Sequence, residues 1–485
     1  MYVRRRGRVP STDMPEIRFA SAQGKWVLAA AILGSGIAFL DSSVVNTALP
    51  SIQREFDASL AGQQWVVTGY LLTLGSLLVV GGSLGDLFGR RLAFVSGLIG
   101  FGITSALCGI APDLGVLIAA RVGQGITAAL LVPGSMAMIA AVFHPDDRAK
   151  AIGAWSGLAG VATAIGPFLG GWLIDTVSWR WVFLINPPLA AIAIWIALTK
   201  VPETSGRASG EPLHGTGDGL SSGRLHGVDL SGAIALSLGL AGVVYALIEG
   251  PARGWPQSAL LAAVIGVLAL VGFAIIERRS ASPMVPMSLF HSKRFAGINA
   301  ATFVMWGAIG AVFFLLTIHL QTDLNYSATE AGAATIPVTI LMMLFSAKSG
   351  ALAQRIGPRL PMIAGPVVVA VAFGLMTRIH PGVTYPTVVF PAVMMFALGL
   401  TITVAPLTAT LIASVDDRHA GVGSAINNAV ARVASLLAIA VLPALAGIAG
   451  ARGASLNAGF PKAMWICAAL TAAGSCICAL TIFNE

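Results

Sequence analysis

Long apolar stretches follow one another along almost the whole chain, and this repetition limits the fold more than any other feature. A helix crossing the hydrocarbon core needs about 20 mostly apolar residues. Roughly fourteen such stretches can be marked, at 26–49, 63–84, 92–111, 114–141, 150–175, 181–199, 229–249, 257–277, 295–321, 329–352, 360–379, 385–412, 421–449 and 463–482. Stretches of that length read as spanning helices, which satisfy their own backbone hydrogen bonds in lipid. Composition agrees. Only 10% of the 485 residues are charged and 56% are apolar, whereas a soluble domain carries about 25% charged residues. The 56 glycines suit membrane helices, which pack closely through small residues.

The distribution of charge tests the topology. With a cytoplasmic N-terminus, Arg54, Arg180, Arg253, Arg378, Arg452 and Lys462 fall in outer loops, and Arg121 and Arg432 fall inside spans. The remainder of the 29 Lys and Arg, including Arg4, Arg5, Arg6, Arg8, Arg90, Arg91, Arg148, Lys150, Arg278, Arg279, Arg355, Arg359 and Arg418, lie on the inner side. This positive-inside bias implies an even number of spans, with both termini cytoplasmic, in a plasma or inner membrane. It also accounts for the net charge of +8 without a nucleic-acid partner. The basic start precedes an apolar run with no small-x-small cleavage site, so it reads as a tail before a retained span.

The organisation expected is a basic tail (1–25), a six-helix bundle (26–199), a Gly/Ser-rich linker (200–228), an inserted helix pair (229–277), a short linker (278–294) and a second six-helix bundle (295–485). The halves share a weak repeat. GDLFGRR (85–91) recurs as AQRIGPR (353–359), and DDRAKAIG (146–153) recurs as DDRHAGVG (416–423). Such repeats mark transporters built from two related bundles around a midplane site.

A few residues are chemically out of place in lipid. Asp41 lies deep in the first span, where a charge costs about 2.5–3.5 kcal/mol on insertion scales. Such an acid is functional by default, and burial makes it protonatable. Counting about 1.5 Å per residue puts Asp41 about 8 Å and Arg121 about 11 Å below the outer face, so the two are expected to sense each other. Arg432 falls near mid-depth beside Asn427 and Asn428, with no evident partner. Trp65, Tyr70, Trp306 and Phe313 are candidates for an aromatic cavity wall, with Gln321 and His319 near its outer end. Core packing and interfacial belts use the same residue types. Glu249, at the outer end of its span, reads as solvated. Asp86 and Arg90 can meet at i, i+4. Gly166 and Gly170 form a small-x-x-x-small pair around Pro167. Cys108, Cys467, Cys476 and Cys478 lie in apolar runs without metal-ligand spacing. No phosphate loop, HExxH or GxSxG appears, so neither direct ATP drive nor catalysis is expected.

These residues carry a resemblance to the major facilitator superfamily, specifically its fourteen-helix drug:proton antiporter branch. LDSSVVNTALP (40–50) is similar to the branch's first-helix signature, with Asp41, Asn46 and Pro50 in register. GSLGDLFGRR (82–91) matches the superfamily loop through Gly82, Asp86, Gly89, Arg90 and Arg91. RVGQGITAA (121–129) places Arg121, Gln124 and Gly125. The antiporter motif appears as Gly153, Gly166, Pro167, Gly170 and Gly171, with Ala162 in place of one glycine. SWRWVFLINPP (178–188) is characteristic of the branch, whereas the second loop copy departs from it with Gln354 where Asp86 stands.

The resemblance implies a two-bundle, 6+6 helical fold with two inserted helices. It implies export of lipophilic, cationic compounds by alternating access, driven by the proton gradient without a cofactor or metal. Asp41 and Arg121 would couple protons. Asp86, Gly89, Arg90 and Arg91 would gate, and the antiporter motif would set directionality. Asn46, Trp65, Tyr70, Gln124, Trp306, Phe313, Gln321 and Asn427 are the cavity candidates. The expected partners are a small-molecule substrate, protons and lipid, and the expected assembly is a monomer. Export of a lipid or metabolite, nutrient symport, and a non-transporting sensor are the alternatives.

Overall fold

The computed structural model describes residues 17–203, 229–280, 283, 285–416, 420–449 and 456–483. Arg4 to Arg8, most of the 200–228 linker and Arg418 lie outside the described residues. The N-terminal half contains α1 (Ala22–Phe56), α2 (Leu60–Phe88), α3 (Arg90–Gly109), α4 (Leu114–Val142), α5 (Pro145–Thr176), α6 (Trp181–Leu184) and α7 (Asn186–Lys200). The inserted pair is α8 (Leu230–Arg253) and α9 (Gln257–Arg279). The C-terminal half contains α10 (Lys293–Thr322), α11 (Ala328–Ala334), α12 (Ile336–Ile356), α13 (Arg359–Met376), α14 (Phe390–Ala413), α15 (Ala420–Leu445) and α16 (Phe460–Thr481). The fold is all-α and multi-pass.

Thirteen helices among the described residues are long and apolar enough to cross a membrane, counting α6–α7 and α11–α12 as one span each. The 32-residue α5 occupies the fifth expected stretch and is not among those thirteen. Both split spans break just before proline, at Ile185 ahead of Pro187 and at Thr335 ahead of Pro337. A proline has no N–H to continue the helical ladder and crowds the preceding turn. Polar caps set several of the other helix starts. Ser59 Oγ accepts from Gly62 N, Asp113 Oδ1 from Val116 N, and Ser327 with Glu330 forms a capping box.

Some boundaries differ from expectation. The first helix begins at Ala22 and runs to Phe56, beyond the apolar stretch, because hydropathy marks the hydrocarbon-depth portion and misses the polar last turns. The end of the expected tail is also docked. Ile17 N donates to Val142 O (3.0 Å), His144 N donates to Ile17 O (3.1 Å), and Phe19 N donates to Asp147 Oδ2 (3.1 Å).

The repeat has a backbone echo. Gly89 (φ 108°) turns the chain between α2 and α3, and Gly357 (φ 85°) does the same between α12 and α13. Such φ values favour glycine, which lacks the Cβ that would clash.

The two halves meet tightly at the end expected to face outward. The Asp175 carboxylate at the end of α5 accepts from Ala328 N (3.2 Å) and Thr329 N (2.8 Å), capping α11 across the seam. Gly171 lies against the Ala328 backbone, and Gly332 lies against the Pro167 carbonyl. Gln321 Nε2 donates to Thr47 O (3.0 Å) between α10 and α1, and Gln64 Nε2 donates to Ile439 O (2.6 Å) between α2 and α15. Towards the other end the same face of α5 is open. Gly153 lies about five helical turns from Gly171, on the same side, and a Cβ there would meet nothing within 4 Å. The helix is therefore sealed at one end and free at the other.

Candidate functional site

Asp41 of α1 and Arg121 of α4 form a salt bridge, and both are 1% exposed. The depth count placed them level, and helix packing brings them together. Polar and aromatic groups surround the pair. Arg121 Nη1 also donates to Gln124 Oε1 (2.7 Å), one turn along α4, and Arg121 Nε donates to Val66 O of α2 (3.1 Å). Gln124 Nε2 donates to the second Asp41 oxygen, Oδ1 (2.9 Å). The Tyr70 ring lies 4.2 Å from the guanidinium carbon of Arg121, a cation–π contact.

Two further helices complete the cluster. Asn186 Nδ2, at the proline break that opens α7, donates to Asp41 Oδ1 (3.1 Å) and to Ser105 Oγ of α3 (3.0 Å). Ser105 Oγ in turn donates to Phe183 O (2.9 Å). The network ties α1, α2, α3, α4 and α7 together and satisfies both carboxylate oxygens. A buried ion pair offsets its desolvation only when further hydrogen bonds support it; here both carboxylate oxygens, Arg121 Nε and Arg121 Nη1 are bonded, while Asn186 Oδ1 is buried without a partner.

This geometry revises one expectation. Asp41 does not open onto a cavity in this conformation; its side chain is sealed inside the N-terminal half. Gln124 belongs to the same sealed cluster rather than to a cavity wall, and Tyr70 is 1% exposed against Arg121.

The other sequence candidates scatter. Trp65 faces the inserted pair, where Nε1 donates to Glu249 Oε1 (2.9 Å) and the ring tilts against Tyr245. Glu249, expected to be solvated, is 8% exposed and also pairs with Arg253 (2.8 Å). Phe313 packs edge-on to Phe396 inside the C-terminal half. The Trp306 carbonyl accepts from Ser435 Oγ (3.0 Å). Asn427 Nδ2 donates to Asn299 Oδ1 (3.1 Å) and Thr302 Oγ1 (2.9 Å), binding α15 to α10. Asn46 is half-buried with an Oδ1 that has no hydrogen-bond partner. Gln321 serves the outer seam. His319 does not line an outer cavity: it is fully buried, stacked on Phe460, with Nδ1 2.7 Å from Asp323 Oδ2 and Nε2 3.0 Å from Ile379 O.

At the α2–α3 corner, Arg91 Nε bonds Glu203 Oε2 (3.0 Å) and Nη1 bonds Val201 O (3.0 Å), within its own half. Arg90 flanks the positive-φ Gly89. In the antiporter motif, Gly166 abuts Ser43, a Cβ on Gly170 would come 2.7 Å from Val44, and Pro167 and Gly171 face α11. Among the described residues no group of His, Cys, Asp and Glu could hold a metal ion.

The sequence reading missed Asn186 and Ser105. Asn186 is one of few strongly polar side chains in the apolar run 181–199, just before two prolines; that placement was the available signal. Ser105 carried none, because a lone serine in an apolar helix commonly bonds its own backbone.

Comparisons with known proteins agree with this architecture. The profile of the Major Facilitator Superfamily matches residues 31–439 and again 298–484. The puromycin resistance protein of Streptomyces alboniger is 33% identical over 446 residues, covering 90% of this chain and 85% of that one. The tetracenomycin C resistance and export protein of Streptomyces glaucescens is 32% identical, covering 86% of this chain and 75% of that one. The crystal structure of a bacterial homologue of the human lysosomal transporter Spinster, inward-facing and unoccupied, superposes with a TM-score of 0.63 at 16% identity. That match covers 95% of this chain and 97% of that one, and shows the fold alone. The chain belongs to the Major Facilitator Superfamily, as a secondary transporter related to multidrug-resistance proteins.

Proposed function

We propose that this protein is a proton-coupled antiporter of the fourteen-span branch that exports lipophilic compounds by alternating access. The observation that carries the reading is the buried Asp41–Arg121–Gln124–Asn186 cluster. A protonatable carboxylate in the hydrocarbon layer is costly to keep and is held by side chains from several helices. A change in its protonation therefore alters how those helices pack. With Asp41 ionised the pair is neutral and sealed. A proton on Asp41 leaves Arg121 without its counter-charge, and that state favours a packing in which the cluster opens to water. Differential stability of two packings is what couples a bound proton to a conformational change.

The conformation described here is the inward-facing one under the expected topology, since α5 and α11 close the outer end. Relatives named for puromycin resistance and for tetracenomycin C export support a lipophilic drug as cargo. The resemblance implies a cationic cargo, for which an accessible Asp41 carboxylate would supply the attraction. With Arg121 already neutralising that carboxylate, the site loses that attraction.

The test is transport into proteoliposomes with an imposed pH gradient, wild type against Asp41→Asn. Wild type is expected to accumulate substrate against its gradient, and Asp41→Asn to lose the pH-driven component while retaining downhill exchange. Full proton dependence in Asp41→Asn would sink the coupling assignment.

A further inference from the structure

Arg432 is left over when the coupling cluster is accounted for. It lies on α15, in the C-terminal half, and its side chain leaves that helix toward the other half. Its guanidinium carbon stands 5.9 Å from the Phe39 ring of α1, and its Cβ is 3.5 Å from where a Cβ on Gly75 of α2 would sit. Gly75 has no side chain, so the guanidinium can run across the seam between the halves. Among the described residues its side chain makes no ion pair and no hydrogen bond, and it lies over the Phe39 ring. It is also partly exposed, and none of its nitrogens is among the walled-off polar atoms. Its contacts with Phe39 of α1 and Gly75 of α2 place the side chain at the seam between the halves.

The surroundings are arranged along the same face. Asn428, one turn before Arg432, is exposed, and Ser424, another turn back, is half-buried. At about 3.6 residues per turn these three stack in a polar row, leading from the open end of the molecule toward Arg432. The half-buried Phe39 gives the inner end an aromatic surface, and Tyr70 is sealed behind it against Arg121. Tyr70 lies within electrostatic reach of Asp41, Arg121 and Arg432. Asp41 and Arg121 cancel, so Arg432 supplies the uncompensated charge of the pathway at this depth. A buried cation without a carboxylate attracts an anion and repels a second cation.

We propose that Arg432 is the substrate-recognition cation, and that the cargo is an amphiphilic organic acid: an aromatic or polycyclic body bearing a carboxylate, sulfonate or ionised phenol. The guanidinium binds the acid group with charge-assisted hydrogen bonds, the half-buried Phe39 ring receives the apolar body, and the Ser424–Asn428 row guides the acid group inward. This deepens the transport reading, because it names the substrate class of the same pathway, but it does not depend on proton coupling.

The experiment is equilibrium binding at fixed pH to purified full-length protein in nanodiscs, with empty nanodiscs subtracted. The probes are 1-pyrenebutyric acid, its primary amide and 1-pyrenebutylamine, which share one apolar body and differ in charge. Wild type is expected to bind the acid about tenfold or more tighter than the amine. Arg432→Gln should weaken acid binding by about that factor and leave the amide within about twofold. Arg432→Glu should reverse the preference toward the amine. Equal affinity of wild type for acid and amine overturns the proposal, as does an unchanged preference in Arg432→Gln. If either variant fails to fold, the wild-type probe series decides alone. Because no pH gradient is imposed, the acid preference is read without any proton-driven flux: its loss leaves the coupling reading standing, and failure of the pH-driven transport test leaves the acid preference standing.

Discussion

Arg121 holds a demanding position: fully buried, salt-bridged, and among the largest fully buried side chains of the described residues. Removing one partner of such a pair leaves an isolated charge in a dry site, at a cost of about 3–5 kcal/mol. Arg121→Leu is therefore expected to lower the thermal midpoint sharply in detergent, and Asp41→Asn combined with it should recover most of the loss. A double variant no more stable than Arg121→Leu would mean the charge pair is not what the site depends on. Trp65 makes a smaller contribution. Its indole bond to Glu249 fastens α2 to α8, so Trp65→Phe should cost about 1 kcal/mol, read as a modest drop in the same midpoint. Asp41 and Arg121 were legible in the sequence because a charge in an apolar run has no bland explanation. Trp65 was misjudged because a tryptophan in a membrane helix suits a cavity, a lipid belt and a helix contact equally well.

Among the elements, α5 links packing to motion. Its glycine face was visible as a spacing pattern, but the pattern does not say which neighbour the face meets. The structure supplies Ala328, Thr329 and Gly332 at the outer end and open space beside Gly153 at the other. A side chain at Gly332 would meet the Pro167 carbonyl, so Gly332→Leu is expected to wedge the outer seam apart and favour the outward-open packing. The readout is labelling of a Gln321→Cys reporter by a membrane-impermeant maleimide, with accessible native cysteine replaced. The rate should rise about tenfold, as about 1.4 kcal/mol of steric bias would produce. A rate unchanged by the wedge would show that this seam does not control access. The splits at Ile185 and Thr335 belong to the same scale. The sequence reads 181–199 and 329–352 as continuous spans; the prolines explain the breaks once seen, and only packing shows that the first break delivers Asn186 to Asp41.

At the scale of the whole molecule, the positive-inside asymmetry sets a testable orientation. Glu203→Cys should react with an impermeant maleimide in inverted vesicles and stay protected in intact cells, while Arg378→Cys should show the reverse. Labelling of both from one side would overturn the topology. The sequence by itself determined that this chain is a bundle of spanning helices with two related halves, because apolar length and the inner excess of Lys and Arg are properties of each segment taken alone. It also marked Asp41, Arg121 and Arg432 as costly in lipid. Only the tertiary structure decided which of those charges cancel and which is left open. Asp41 and Arg121 are 80 residues apart and meet through the packing of α1 on α4, whereas Arg432 crosses to the opposite half and meets no carboxylate among the described residues. Whether a buried charge is paired depends on which helices touch, and that follows from side-chain fit between segments that no local pattern records.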